Sequence, residues 1–225
     1  MNIDKLYLSV NDGSYVDVAE SLGFFLKWRR LSAPEVKMVY DEIPGANSSL
    51  DSTEQFGEVF YRDRLLELGC KHPDKNWYAN YQSLLDTYHG QKVKIKFGND
   101  PNYYWTGRLF VSEYDSSEHE LAMSAIVYPY KFKGTETTVT AIGYGSGTPV
   151  QRTVSLANGR MKVVPTVTIN AEAALEWGDY TKTISASSYP HTAILTGLVV
   201  NPNETLSVKV TSAEDVVFTY REGAL

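Results

Sequence analysis

The sequence predicts a mainly β protein with one main helix, an α+β N-terminal domain followed by an all-β C-terminal sandwich. Lys71 to Phe132 holds one segment of helical period and then three of strand period, the clearest regularity in the chain. From Gly134 onward the texture changes to short threonine-, serine- and valine-rich runs between turn residues. No internal repeat relates the two stretches, so they are read as separate domains, residues 1–133 and 134–225.

In the first domain, Lys5 to Val10 is a short apolar run closed by the turn-prone Asn11-Asp12-Gly13-Ser14. Leu22 to Trp28 is apolar but brief and is read as a strand. Val36 to Asp41 leads into a loop marked by Pro44, Gly45 and Asn47, and Leu50 to Phe56 is polar and irregular. Glu58 to Leu68 reads as one long, bent strand. Asp74 can cap a helix whose apolar face is Trp77, Tyr81, Leu84, Leu85 and Tyr88, and Gly90 can end it in a left-handed conformation. Lys92 to Phe97 alternates without a break, with Val93, Ile95 and Phe97 on one side and Lys92, Lys94 and Lys96 on the other. After the turn at Asn99-Asp100-Pro101, Tyr103 to Val111 forms an aromatic strand. Glu120 to Val127 forms the next, with Leu121, Met123, Ala125 and Val127 in phase. The apolar helix face and the apolar sheet face can then cover each other.

The second domain offers eight short strands: Thr135 to Ile142, Gln151 to Leu156, Lys162 to Ile169, Ala174 to Trp177, Tyr180 to Ile184, Thr192 to Leu195, Thr205 to Val210 and Asp215 to Tyr220. Asn158-Gly159 between the second and third is a hairpin signal. Strands this short and this regularly spaced argue for a sandwich.

Bulk properties narrow the class. With 225 residues, either domain can bury a core of its own. No run of about 18 apolar residues is present to cross a bilayer. The start of the chain lacks the basic and apolar segments of a secretory signal, so membrane insertion and export are not expected. The lone cysteine, Cys70, excludes an intramolecular disulfide and fits synthesis in a reducing cytoplasm. A net charge of −6 argues against dedicated binding of a phosphate backbone. The lysine row is a local exception whose plain role is to solvate a strand and discourage edge pairing.

No catalytic constellation is legible. His72, His89, His119 and His191 are isolated, no glycine-flanked serine forms a nucleophile elbow, and no metal or cofactor set is spaced for binding. His89, at a helix end, is expected to meet the last free carbonyls. Asn99 to Asn102 lacks the later glutamate of a calcium loop. Glu113, Asp115, Glu118 and Glu120 could form a glycosidase pair but fall in a hydrophilic hairpin. Gly143-Tyr144-Gly145-Ser146-Gly147 has no following helix or lysine to complete a phosphate cradle. Tyr103, Tyr104 and Trp105 could stack a sugar or base, but are read first as protein-contact residues.

Several short signatures, in order, resemble the distal tail (Dit-type) proteins of siphophages. They are Tyr40 to Asp51 (YDEIPGANSSLD), Tyr61-Arg62-Asp63-Arg64-Leu65, the helix ending His89-Gly90, Asp100 to Arg108 (DPNYYWTGR) and Tyr128-Pro129-Tyr130-Lys131. The finish from Glu204 to Leu225, with Tyr220-Arg221-Glu222-Gly223, is similar to the end of that family's second domain. The resemblance implies a ring-forming N-terminal domain, hexameric in the assembled tail, and a galectin-like C-terminal sandwich facing outwards. It implies a non-enzymatic virion protein at the distal end of the tail, made in the host bacterial cytoplasm. Its partners would be the tail tube protein, a tail-tip or tail-associated hub protein and a receptor-binding or baseplate protein.

On this resemblance, Pro44 to Phe56 is the candidate for an extension that embraces the neighbouring subunit. Pro44, Phe56, Tyr103, Tyr104 and Trp105 are candidate contacts, and Lys92, Lys94 and Lys96 are candidate lumen residues touching DNA only as it passes. Sugar-binding galectins use a histidine, asparagine and arginine cluster with a stacking tryptophan. Only Trp177-Gly178-Asp179 matches the latter part here, so the sandwich is expected to dock proteins. The rival expectation is a carbohydrate-binding adhesin recognising host glycans.

Overall fold

A computed structural model describes residues 4–55, 57–73, 77–145 and 147–225. Asp74, Phe56 and Ser146, named above, lie outside these residues. The chain forms two compact units, one running to Lys131 and including Leu225, the other from Phe132 to Ala224. Among the described residues 49% are strand and 8% helix, so the chain is mainly β.

The first unit contains β1 (Leu6–Val10), β2 (Val16–Asp17), α1 (Val18–Leu22), β3 (Phe25–Leu31), β4 (Tyr40–Asp41), β5 (Leu50–Asp51), β6 (Arg64–Lys71), α2 (Trp77–Tyr88), β7 (Lys92–Phe97), β8 (Tyr103–Asp115) and β9 (Glu120–Val127). Seven of its strands make an antiparallel sheet in the order β2-β1-β7-β8-β9-β6-β3. The three strands after α2 are the three expected, and their apolar phase is the buried one: Val93, Ile95, Phe97, Leu109, Val111, Leu121, Met123, Ala125 and Val127 all enter one core. Leu84 and Tyr88 of α2 complete it from one side, with Tyr81 and Leu85 packed at its margin. Gly90 adopts φ 71°, the left-handed end its position required. Gly107 is needed for another reason, since a Cβ there would lie 2.1 Å from the Ile126 carbonyl oxygen on the adjacent strand.

One element is added and one expectation is corrected. The chain has a second helix, α1, capped by Asp17, whose carboxylate accepts from the Ala19 and Glu20 N–H groups, and closed by Gly23 at φ 70°. At five residues it is too short to show an apolar period. The long strand expected from Glu58 to Leu68 does not form; β6 starts at Arg64 and runs on to Lys71. Residues 58–63 instead turn back beside 35–37, where Lys37 N–H donates to the Phe60 carbonyl (2.8 Å) and Arg62 N–H to that of Glu35 (2.8 Å). Only from Arg64 do alternate residues, Arg64, Leu66, Leu68 and Cys70, all reach the core side.

The second unit follows β10 (Lys131–Lys133) with β11 (Thr137–Ala141), β12 (Val150–Ala157), β13 (Thr166–Ile169), β14 (Ala173–Trp177), β15 (Tyr180–Ile184), β16 (His191–Ile194), β17 (Thr205–Ser212), β18 (Val216–Tyr220) and β19 (Gly223–Ala224). Two four-stranded antiparallel sheets, β11-β18-β13-β16 and β12-β17-β14-β15, share one core built from Val167, Phe218, Leu156, Leu175, Val208 and their neighbours. Tyr220 locks the β12 end by donating its hydroxyl to the Ala157 carbonyl at 2.6 Å.

Asn158-Gly159 makes no two-residue hairpin, because β12 pairs with β17 and the next strand, β13, belongs to the other sheet. The Asn158 amide instead ties loops together, donating to the Met161 carbonyl (2.6 Å) and the Val200 carbonyl (2.9 Å). The strand expected from Lys162 is shortened to Thr166–Ile169, since Pro165 has no N–H to give a ladder; ahead of it Val163 makes only an isolated bridge to Val200.

Candidate functional site

In the first unit, the sheet positions opposite the core form a face of their own. Cross-strand partners place Lys92, Arg108, Ile126 and Leu65 in one row across β7, β8, β9 and β6. Ile126 and Leu65 are 51% and 46% exposed, although both belong to interior strands of the sheet. Trp28 on β3 extends the apolar ground and lies over Gly69, where an added Cβ would meet its indole at 2.2 Å. Sheets of this type bury one face on their core and solvate the other with polar residues. The exposed Trp28, Leu65 and Ile126 make this face the candidate contact surface.

The lysine row lies on this face, and each ammonium is seated on an aromatic ring. Lys92 Nζ is 5.3 Å from the Tyr128 ring centre and donates to its hydroxyl at 3.2 Å. Lys94 Nζ lies 5.0 Å from the Tyr104 ring and 2.5 Å from an Asp12 carboxylate oxygen. Lys96 Nζ lies 4.4 Å from the Tyr15 ring and 5.1 Å from that of Tyr7. Each such cation–π contact is worth about 0.5–1 kcal/mol at an exposed site and fixes a side chain that would otherwise sample many rotamers.

The second feature is an arm. Between β3 and β6 the chain leaves the sheet, crosses an isolated bridge at Val36 and Tyr61, and ends in the β4–β5 hairpin. Every residue from Lys37 to Asp51 is exposed, among them Met38, Tyr40, Ile43 and Leu50. The base is clamped: Ser32 N–H donates to the Leu65 carbonyl (2.9 Å), and Leu65 N–H donates to the Ser32 hydroxyl (3.0 Å). Arg64 Nε donates to the Ser32 carbonyl at 2.7 Å. The Arg64 guanidinium is buried, 4.9 Å from the centre of the Trp105 ring, and burial lowers its pKa. Its position in phase with Leu66 and Leu68 is the sequence signal for this role, and a strand starting at Glu58 obscures it.

The residues singled out in the sequence separate accordingly. Pro44 is exposed in the loop between β4 and β5. Tyr104 and Trp105 are buried within the unit, so little of either ring remains for a partner; Trp105 belongs to the core. Tyr103 is half-buried, with the Lys131 ammonium 4.6 Å above its ring. His89 does not serve helix carbonyls: its Nδ1 accepts from the Val111 N–H at 3.1 Å, where the β8–β9 ladder is interrupted by a bulge.

Asp115, Cys70 and Trp177 are structurally occupied. Asp115 accepts from the Ser117 hydroxyl (2.7 Å), its N–H (2.8 Å) and the Glu118 N–H, bonds that hold its carboxyl below the usual range in the expected turn. The buried Cys70 thiol is pushed up to about 12 by desolvation. Trp177 is buried and gives its indole N–H to the Gly197 carbonyl at 3.0 Å, so it does not present a free stacking face as a sugar platform would. Among the described residues no three His, Cys, Asp or Glu side chains are grouped to hold a metal.

The first unit is a helix-backed antiparallel sheet carrying an arm, and the second is a sandwich. The structure is similar to the crystal structure of the SPP1 Dit protein (gp 19.1), described as a paradigm of hub adsorption apparatus in Gram-positive infecting phages. The TM-score is 0.68 at 13% identity, covering 98% of this chain and 99% of that one. The resemblance read in the sequence is thus met at the level of the fold. No family model and no curated protein matches the chain.

Proposed function

We propose that this chain is a non-enzymatic structural subunit of a phage tail tip. In this reading six copies form a ring that joins the tail tube to a tail-tip or tail-associated hub protein and to a receptor-binding or baseplate protein, with a lumen for passing DNA. The N-terminal unit supplies the ring, and the sandwich, galectin-like in the family, supplies an outward docking domain in the virion. The observation that carries the proposal is the match over 98% of the chain to a protein described as part of a hub adsorption apparatus. The open sheet face and the exposed arm support it physically, because a ring requires two different surfaces that meet between successive copies. Pro44, exposed on the arm, and Tyr103, half-buried at the start of β8, are the contacts we propose among the candidates.

The test is negative-stain imaging and native mass spectrometry of the purified chain, alone and with the tail tube protein. Sixfold rings are the expected result. Monomers only, at high concentration and with tube protein present, would refute the proposal.

A further inference from the structure

The end of β12 carries the only Asn-Gly pair in the chain, and packing fixes both of its residues. The Asn158 amide nitrogen lies within bonding distance of the Met161 (2.6 Å), Val200 (2.9 Å) and Asn201 (3.2 Å) carbonyls. Three acceptors on that side identify it as the donor end of the side chain. The other end, Oδ1, is buried and among the described residues accepts no hydrogen bond. Backbone bonds close the same junction: Asn158 N–H donates to the Glu204 carbonyl (3.1 Å), Arg160 N–H to that of Gly223 (3.0 Å) and Asn203 N–H to that of Gly159 (2.7 Å). Gly159 is required by close approach, since a Cβ there would lie 2.9 Å from the Gly223 carbonyl oxygen.

We propose that Asn158 is a deamidation site closed by folding: it is inert while the second unit is folded, converts once that unit opens, and then bars the chain from rebuilding the junction. Asn-Gly is the pair at which a polypeptide most readily loses an amide, because glycine has no Cβ to shield its backbone nitrogen. The Gly159 nitrogen gives up its proton and bonds to Asn158 Cγ, the Cγ–Nδ2 bond breaks, and Nδ2 leaves as ammonia. Water then opens the five-membered imide at either carbonyl, leaving aspartate at 158 or an isoaspartate whose backbone runs through Cγ. Attack places negative charge on Oδ1, and in the folded chain that buried atom has no donor to receive it. Nδ2 must also abandon its carbonyl partners to depart. Opening of the second unit removes both restraints. The product does not fit back. A carboxylate has no hydrogen to donate, so the Met161, Val200 and Asn201 carbonyls lose their donor and face a charge of the same sign as their own oxygen. Isoaspartate also adds a methylene to the backbone where Gly159 already lies against Gly223. Unfolding followed by conversion is therefore irreversible. This is a property of the second unit itself and does not depend on the ring.

The experiment compares Asn158 with Asn47 in the same full chain. Asn47 precedes Ser48 in the exposed loop between β4 and β5, a chemically slower pair because serine carries a Cβ, but one open to solvent. The chain is held at mildly alkaline pH, folded in buffer and unfolded in urea, and conversion at each site is followed by peptide mass spectrometry. In urea Asn158 is expected to convert ahead of Asn47. In buffer the order is expected to reverse, with Asn158 slowed at least about tenfold against its urea rate, since only opened molecules react. An Asn158 slowed less than this, or still ahead of Asn47 in buffer, overturns the closure. Return from urea tests the irreversibility. Chain converted there is expected to lose the unfolding transition of the second unit, whereas chain held in urea at mildly acid pH, where the backbone nitrogen keeps its proton, is expected to regain it. Asn158→Asp, never exposed to urea, is expected to show a lowered denaturant midpoint for that unit. Converted chain or Asn158→Asp that matches the parent midpoint overturns the irreversibility, as does an acid-held sample that also fails to refold.

Discussion

Replacing Arg64 tests whether the arm is held by the clamp at its base. Arg64→Ala removes a hydrogen bond from a charged donor to the Ser32 carbonyl at 2.7 Å, worth about 1.5–3 kcal/mol. The contact to the Pro129 carbonyl, at 3.4 Å, lies at the limit of a useful bond and adds little. The guanidinium over Trp105 adds roughly 0.5–2 kcal/mol. Against these stands the cost of keeping a cation in a buried site, which the substitution relieves. The balance is a loss of about 2–3 kcal/mol from the first unit. Arg64→Met fills the same space without the desolvation cost and is expected to lose only about 1 kcal/mol, yet it leaves the Ser32 carbonyl unpaired. Trp177 lies in the second unit, so in a Trp177→Phe background urea unfolding followed by tryptophan fluorescence reports the first unit. Hydrogen exchange at the Ser32 and Leu65 amides, which close the arm base, should accelerate in both Arg64 variants. If Arg64→Ala stays within about 0.5 kcal/mol of the parent, with unchanged exchange at those two amides, the clamp does not hold the arm.

Gly107→Ala drives a Cβ into the Ile126 carbonyl, so β8 and β9 must separate; a loss of at least about 3 kcal/mol is expected, seen as a collapse of the first unfolding transition. Tyr220→Phe deletes the bond to the Ala157 carbonyl and should cost the second unit about 1 kcal/mol, read from its denaturant midpoint. The Glu222 carboxyl is held below its usual range by the Thr137 hydroxyl, with burial opposing and Lys133 (3.0 Å) assisting. A depressed carboxyl stabilises the fold above its unfolded pKa, and that contribution disappears as the pH falls through the folded value. Glu222→Gln should therefore weaken the second unit by about 1 kcal/mol at pH 7, with the difference from the parent shrinking as the pH falls below the unfolded carboxylate range and vanishing below the folded value, in acid titrations followed by circular dichroism.

What could be read from the sequence follows from how each element is stabilised. β7 and β9 were legible to the residue because strict alternation places every second side chain in the core. The α2 face was legible for the same reason at the helical period. The helix α1 was not, because its signals are its caps, Asp17 and Gly23, rather than any periodic face. The β4–β5 hairpin was hidden among loop residues because two residue pairs carry no period at all. Tyr104 and Trp105 show a different limit. Aromatic composition identifies rings that must contact something, but only the strand phase and the packing above each face decide whether that is the chain's own interior. The lysine row was visible as a polar face, whereas its seating on Tyr7, Tyr15, Tyr104 and Tyr128 depends on long-range pairing that no local pattern contains.

The arm's construction carries a consequence for assembly. A hairpin with two residue pairs is not stable by itself in water, since three or more strands or a packed face are needed for that. Among the described residues the hairpin is joined at its base, and Met38, Tyr40, Ile43 and Leu50 face solvent. Burying half of the surface of four such side chains against a neighbour would yield roughly 3–6 kcal/mol at the usual transfer rate. Ordering the arm residues that are not already fixed would consume much of that gain, at roughly 1–2 kcal/mol for each backbone position. The clamp at Ser32, Leu65 and Arg64 reduces this cost by fixing where the arm starts and its direction before any neighbour arrives. In the proposed ring, a rigid base with an unsupported tip would allow weak single contacts in the free subunit and strong collective ones once several copies close.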